Sequence, residues 1–106
     1  MSSTTLAVIA AFLEAAPAPR YGLELMREAD VKSGSLYPIL DRLEDEGWVA
    51  GEWEETTAQE AGRPRRRYYR LTAEGVVAGT REVQRARARL GVPVGLPHPA
   101  TSGSPA

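Results

Sequence analysis

A chain of 106 residues with no cysteine and one histidine can bury one modest core, and it has no disulfides and no thiolate metal sites. Its 13 basic and 14 acidic residues nearly cancel, yet residues 1–60 hold 4 Lys+Arg against 12 Asp+Glu and residues 61–106 hold 9 against 2. A locally basic surface is therefore hidden inside a neutral total. No run of about 18 apolar residues occurs and no basic segment precedes an apolar one, so the expectation is a cytoplasmic protein without membrane span or signal peptide.

The first predicted helix covers Leu6 to Ala16, with Thr4 or Thr5 as its cap. Leu6, Ile9 and Leu13 form one apolar stripe, and Val8 and Phe12 a second. Either the helix is buried all round, or one stripe faces the core and the other a partner subunit. Pro17-Ala18-Pro19 ends it. Tyr21 to Ala29 then reads as a short amphipathic helix, and Asp30-Val31-Lys32 as a turn.

The helix from Ser33 to Glu46 is the element that organises the chain. Leu36, Leu40 and Leu43, with Ile39 beside them, give it an apolar back. Its start, Ser33-Gly34-Ser35 with Tyr37, is small and hydroxyl-rich, and Ser33 is expected to cap it. Pro38 breaks a local helix rule, which is expected at functional positions. Gly47 stops the helix. Two short helices joined by a few residues, the second backed by leucines, make a helix-turn-helix candidate.

Trp48 to Glu54 and Arg66 to Thr72 alternate with period two and carry aromatics, as strands do. Glu55 to Arg65, with Gly62 and Pro64, is too long for a tight turn and reads as a flexible hairpin tip. Trp48 and Trp53 are assigned to the core and the sheet. Thr72 caps the last helix, where Val76, Val83 and Leu90 stand seven apart with Thr80 and Ala86 between them. That narrow seam resembles a coiled-coil contact, and Gly79 weakens it. Its arginines (Arg81, Arg85, Arg87 and Arg89) read as a solvated face. From Gly91 onward Pro, Gly, Ser and Thr indicate a disordered tail, which holds His98. The expected fold class is mainly α (α+β), a winged helix-turn-helix over residues 1–72 with a two-stranded wing. A dimerisation helix over 73–90 and the tail over 91–106 complete the chain.

Tyr21-Gly22-Leu23-Glu24-Leu25, Gly34-Ser35-Leu36-Tyr37-Pro38, Arg42-Leu43-Glu44, Glu46-Gly47, Glu52-Trp53-Glu54, Gly62-Arg63-Pro64-Arg65 and Tyr68-Tyr69-Arg70-Leu71-Thr72 together resemble the PadR family of bacterial transcriptional regulators. The resemblance spans about Leu6 to Leu90. It implies a dimer made by the first and last helices, repression from operators with two related half-sites, and in some members release by a small hydrophobic or aromatic effector. One departure is Arg20, where the family frequently has histidine.

For binding duplex DNA, the candidates are Tyr21, Lys32, Ser33, Gly34, Ser35, Tyr37, Pro38 and Arg42, with Arg63, Arg65 and Arg66 of the wing. Free amides and a dipole end at the helix start suit phosphates or base edges. Arginines on a loop beside it suit phosphates or a narrow minor groove. Arg67 and Arg70 are expected to pair with the acids of Glu52 to Glu55. Asp41, Glu44, Asp45 and Glu46 would repel phosphates, so only the first two turns are expected in the groove. The dimer candidates are Leu6, Ile9, Phe12, Leu13, Val76, Thr80, Val83 and Leu90. A second reading of Val8, Phe12 and Trp53 makes them the wall of an effector pocket. A protein-binding winged helix without specific DNA affinity is the alternative function. No nucleophile–base pair, metal cluster or phosphate-cradling loop is present in the sequence, so neither catalysis, cofactor nor metal is expected.

Overall fold

The computed structural model describes residues 1–91. In order, it contains α1 (Ser3–Ala15), β1 (Arg20–Tyr21), α2 (Gly22–Ala29), α3 (Ser33–Asp45), β2 (Val49–Trp53), α4 (Ala58–Ala61), β3 (Arg67–Leu71) and α5 (Ala73–Arg89). The fold is mainly α with a small antiparallel sheet, a winged helix-turn-helix. Its sheet has three strands in the order β1-β3-β2, not the expected two. The added strand is only Arg20–Tyr21, paired with Tyr69 and Tyr68. The expected tail lies outside the described residues.

Each helix end is set locally. At α1 the cap is Ser2, whose side chain accepts the Thr5 amide at 3.1 Å, rather than Thr4 or Thr5. Thr5 is instead buried, with its hydroxyl 2.9 Å from that of Ser2. Gly47 takes φ +83° after α3, a conformation that costs glycine least. The amide of Gly47 bonds the Glu44 carbonyl and that of Trp48 the Leu43 carbonyl, so two orphan carbonyls are satisfied. At α5, Thr72 Oγ1 accepts the Gly75 amide at 3.0 Å and donates to the Gly47 carbonyl at 2.7 Å.

One core gathers the apolar faces. Val8, Ile9 and Phe12 of α1, Leu25 of α2, Leu36, Leu40 and Leu43 of α3, and Val49, Tyr69 and Leu71 of the sheet are all buried. Val8, Ile9 and Phe12 of α1 are thus buried by their own chain, while Leu6 and Leu13 stay half-buried. Gly79 has a purpose beyond weakening α5: a Cβ there would stand 2.9 Å from Ile9 Cγ2, so the missing side chain lets α5 lie close on α1. Val76 and Val83 pack at the edge of the core, whereas Leu90 is 78% exposed. Among the described residues, no helix is long and apolar enough to cross a membrane.

Candidate nucleic-acid interface

The start of α3 is open to solvent over Ser33, Gly34 and Ser35. Its cap residue is Lys32, which has extended backbone and no side-chain bond; its carbonyl accepts the Ser35 and Leu36 amides at 3.0 and 2.9 Å. Ser33 is therefore the first helical residue and does not cap. Lys32 takes the cap position because its backbone is extended while its carbonyl already accepts the first helical amides. The Ser33 hydroxyl is left unused. The Ser33 and Gly34 amides have no acceptor among the described residues, and with the positive end of the helix they give the local field an anion seeks. Pro38 has no amide to offer the Gly34 carbonyl, so that carbonyl lacks its helical donor.

Tyr37 stands between α3 and α2. The residue is 42% exposed, and its hydroxyl lies over Gly22, where an added Cβ would be 2.3 Å away. One edge of the phenol packs on the protein while the other faces solvent. Surface packing and DNA contact thus use different sides of the same ring.

The wing is held together by Glu54. Its carboxylate accepts Arg63 at 2.7 and 3.0 Å, the Arg66 amide at 2.8 Å and the Tyr21 hydroxyl at 3.4 Å. Its backbone carbonyl accepts two donors of Arg65, at 3.1 and 2.8 Å. The bonds from Arg63, then the Arg66 amide, hold its carboxyl down to about 2, from an ordinary 4.5. The tip is not a simple flexible loop. It forms the one-turn helix α4, which Thr57 caps by accepting the Glu60 amide at 3.0 Å, and Gly62 ends it at φ +71°.

These contacts sort the wing arginines. Arg63 is engaged by Glu54 and is not among the residues that line the open surface. Arg66 makes no ion pair among the described residues, and its guanidinium lies 5.5 Å from the Tyr21 ring. Arg70 pairs with Glu52 at 2.8 Å, as expected for a cross-strand neighbour. Arg67 instead reaches Glu44 of α3 at 3.1 Å.

A concave surface of about 710 Å³ opens between the start of α2, Tyr37 and the wing. Tyr21, Tyr37, Trp53, Tyr69, Arg65, Arg66, Arg67 and Arg27 line it, with Glu24 the one acid. Tyr21, Tyr37, Arg65 and Arg66 are thus brought together, and the exposed start of α3 adjoins them through Tyr37. Arg42 stands apart: it lines a groove on another side of α3 with Met1, Glu46, Trp48 and Glu82. Its helical angle, about 140° from Tyr37 at 100° per residue, accounts for that. Arg27 was not anticipated; it shares the exposed face of α2 with Leu23, four residues before it, a spacing visible in the sequence.

Three other expectations change. Ile9 and Phe12 are at most 1% exposed within the single chain, so they cannot meet a second copy. Val8 is fully buried and Trp53 is 51% exposed on the concave surface, so Val8, Phe12 and Trp53 do not meet around a pocket. Trp53 is not a core residue because it ends β2, beyond the part of the sheet that the helices cover. Of the dimer candidates, Leu13, Val76, Thr80 and Val83 do come together, lining a groove of about 350 Å³ between α1 and α5 with Ala10 and Ala16. Leu6 is half-buried on α1.

Arg20 is 6% exposed and donates to the Ala11 carbonyl at 2.8 Å. It also ion-pairs with Glu28, and its Nε is 3.6 Å from Glu24. Glu24 in turn accepts the Tyr21 amide at 2.9 Å. The charge that departs from the family's usual histidine thus ties α1 to the strand carrying Tyr21.

Acid should loosen the wing. Because folding lowers the Glu54 pKa, its contribution is whole above about 4.5 and fades as pH falls toward 2. Near-UV circular dichroism of the wing aromatics should hold steady from pH 7 to 5 and decline below that. A Glu54→Gln chain should have the weakened signal already at pH 7.

The model of the transcriptional regulator PadR-like family matches residues 11–81. A PadR family transcriptional regulator from Eggerthella lenta DSM 2243 is 33% identical with a TM-score of 0.60, covering 82% of this chain and 75% of that one. A PadR-like transcription factor from Bacteroides fragilis is 26% identical with a TM-score of 0.62, covering 82% of each chain. Overoxidized AbfR bound to DNA shares the fold at 21% identity and a TM-score of 0.61, covering 86% of this chain and 65% of that one. None of the curated proteins compared matches this chain. The family model covers well over half of the sequence, on a fold with the same helices and wing, and the chain belongs to the PadR-like family of transcriptional regulators.

Proposed function

We propose that this chain is a dimeric repressor that binds duplex operator DNA without catalysing a reaction. The observation that carries the reading is the concave surface, where four arginines and three tyrosines oppose a single acid beside the open start of α3. In this reading the first two turns of α3 enter the major groove, with Ser35 and Tyr37 at base edges and Lys32, Ser33 and the first amides at phosphates. Gly34 and Pro38 let the helix approach closely. Arg65, Arg66 and Tyr21 meet the flanking backbone, and Arg63 is the strut that sets their height. Arg42 serves an outer phosphate at most.

The second copy sits on the groove between α1 and α5, and the half-buried Leu6 and exposed Leu90 on the same two helices add to its contact. A helix of the partner filling that groove would complete an apolar surface that one chain leaves open. Val83→Glu places a charge in it. Sedimentation should show a dimer for the parent chain and a monomer for the variant, with helical circular dichroism retained. A small hydrophobic or aromatic effector would act by entering this groove and changing the spacing of the two reading heads.

The direct test is binding to duplexes from the region upstream of its own gene, against scrambled duplexes of the same composition. A repressor of this kind protects one site of two related half-sites, two chains per duplex. A folded monomer indifferent to both duplexes would favour the protein-binding alternative.

A further inference from the structure

Trp53 is an exposed indole that neither the core nor the dimer groove uses. It is 51% exposed at the end of β2, on the sheet face shared by Gly51, Tyr69 and Arg67. The Arg65 guanidinium lies 5.7 Å from its ring centre and that of Arg67 5.5 Å. Two cations near one indole are held by its ring as well as by their own bonds, Arg65 to the Glu54 carbonyl and Arg67 to Glu44. Among the described residues the indole N–H donates to no acceptor. A half-exposed tryptophan with an unpaired donor, on the arginine-lined surface opposite Tyr37, keeps apolar area in water that a partner could cover.

We propose that Trp53 is itself a DNA contact: its ring edge packs on a deoxyribose and its N–H donates to a phosphate, while its faces hold Arg65 and Arg67 in position. The reading rests on DNA binding by the concave surface. It adds a residue whose neutral donor and apolar edge suit the sugar–phosphate backbone rather than a base edge. Contact of this kind is independent of sequence, so it operates on any duplex.

The test uses a Trp48→Phe chain, in which Trp53 is the only tryptophan, titrated with a mixed-sequence duplex at low salt. DNA should change the Trp53 emission and protect it from iodide. In the parent background Trp53→Ala should weaken binding roughly ten-fold, equivalent to about 1.4 kcal/mol, and Trp53→Phe should recover only the part that comes from the apolar edge. The substituted side chain is outside the core, so thermal unfolding of Trp53→Ala should match the parent. Duplex binding at full strength with Trp53 emission and iodide access unchanged would overturn the proposal and leave DNA binding standing. Weaker binding by Trp53→Ala with unchanged iodide access would also overturn it, reducing Trp53 to a prop for the arginines. Failure of the parent chain to bind any duplex would sink both this and the reading beneath it.

Discussion

Gly75→Ala should be the most destabilising small substitution in the chain. A Cβ at Gly75 would lie 2.0 Å from the carbonyl oxygen of Trp48 and 2.8 Å from its carbonyl carbon. The obstacle is backbone, so no rotamer relieves it. That same carbonyl accepts the Thr72 amide at 2.9 Å, and Thr72 caps α5 while bonding Gly47. Moving α5 outward therefore breaks the joint that connects the end of α3, the start of β2 and the last helix. Overpacking costs about 1–3 kcal/mol and occasionally more, and a clash with backbone belongs at the upper end, a large part of the ~5–15 kcal/mol that holds a domain folded. Urea denaturation should show the midpoint collapse. Gly34→Ala is the control: nothing lies within 4 Å of an added Cβ there, and in the first turn of α3 the change should leave the midpoint at or slightly above that of the parent. A parent-like midpoint for Gly75→Ala would contradict this packing.

The second large effect falls on binding. Arg65→Ala combined with Arg66→Ala removes the two wing guanidiniums that no carboxylate holds, four in the proposed dimer. If each neutralises one phosphate, the slope of log affinity against log salt should flatten by about 3.6, at ~0.9 per contact. Affinity at low salt should fall by two orders of magnitude or more, roughly 1.4 kcal/mol for each factor of ten. Arg63→Ala should behave differently. Its guanidinium is taken by Glu54, so the slope should change little while the wing loses order. Anisotropy titrations of a labelled duplex over a salt series distinguish the two. Equal slopes for both variants would refute the sorting of these arginines.

That sorting marks where sequence reasoning reached its limit. The leucine back of α3, the stop at Gly47, the Thr72 cap and the two long strands are written in local periodicity and in single residues with one physical use. β1 is not: two residues have no periodicity, and Arg20–Tyr21 becomes a strand only because Tyr68 and Tyr69 arrive beside it. Nor does a single turn such as α4 stand out from a loop. Ile9, Phe12 and Val8 have the pattern of a spare face, and only the close approach of α5 at Gly79 shows that it is filled internally. On the candidate surface, Tyr37, Arg65 and Arg66 were legible from residue type beside a helix start. That Glu54 would claim Arg63 depended on where the hairpin folds back. Trp53 resembled a core residue because aromatics on strands generally are, and its exposure follows from where the helical layer ends.

The central claim is that two reading heads neutralise DNA phosphates together. Affinity for a duplex from its upstream region, measured from about 50 to 200 mM salt, tests it most directly. If Lys32, Arg65 and Arg66 on each chain of the proposed dimer meet one phosphate apiece, about six are neutralised and the slope should be roughly −5, at ~0.9 per phosphate. Absence of binding at 50 mM, or a slope near zero, would contradict the account.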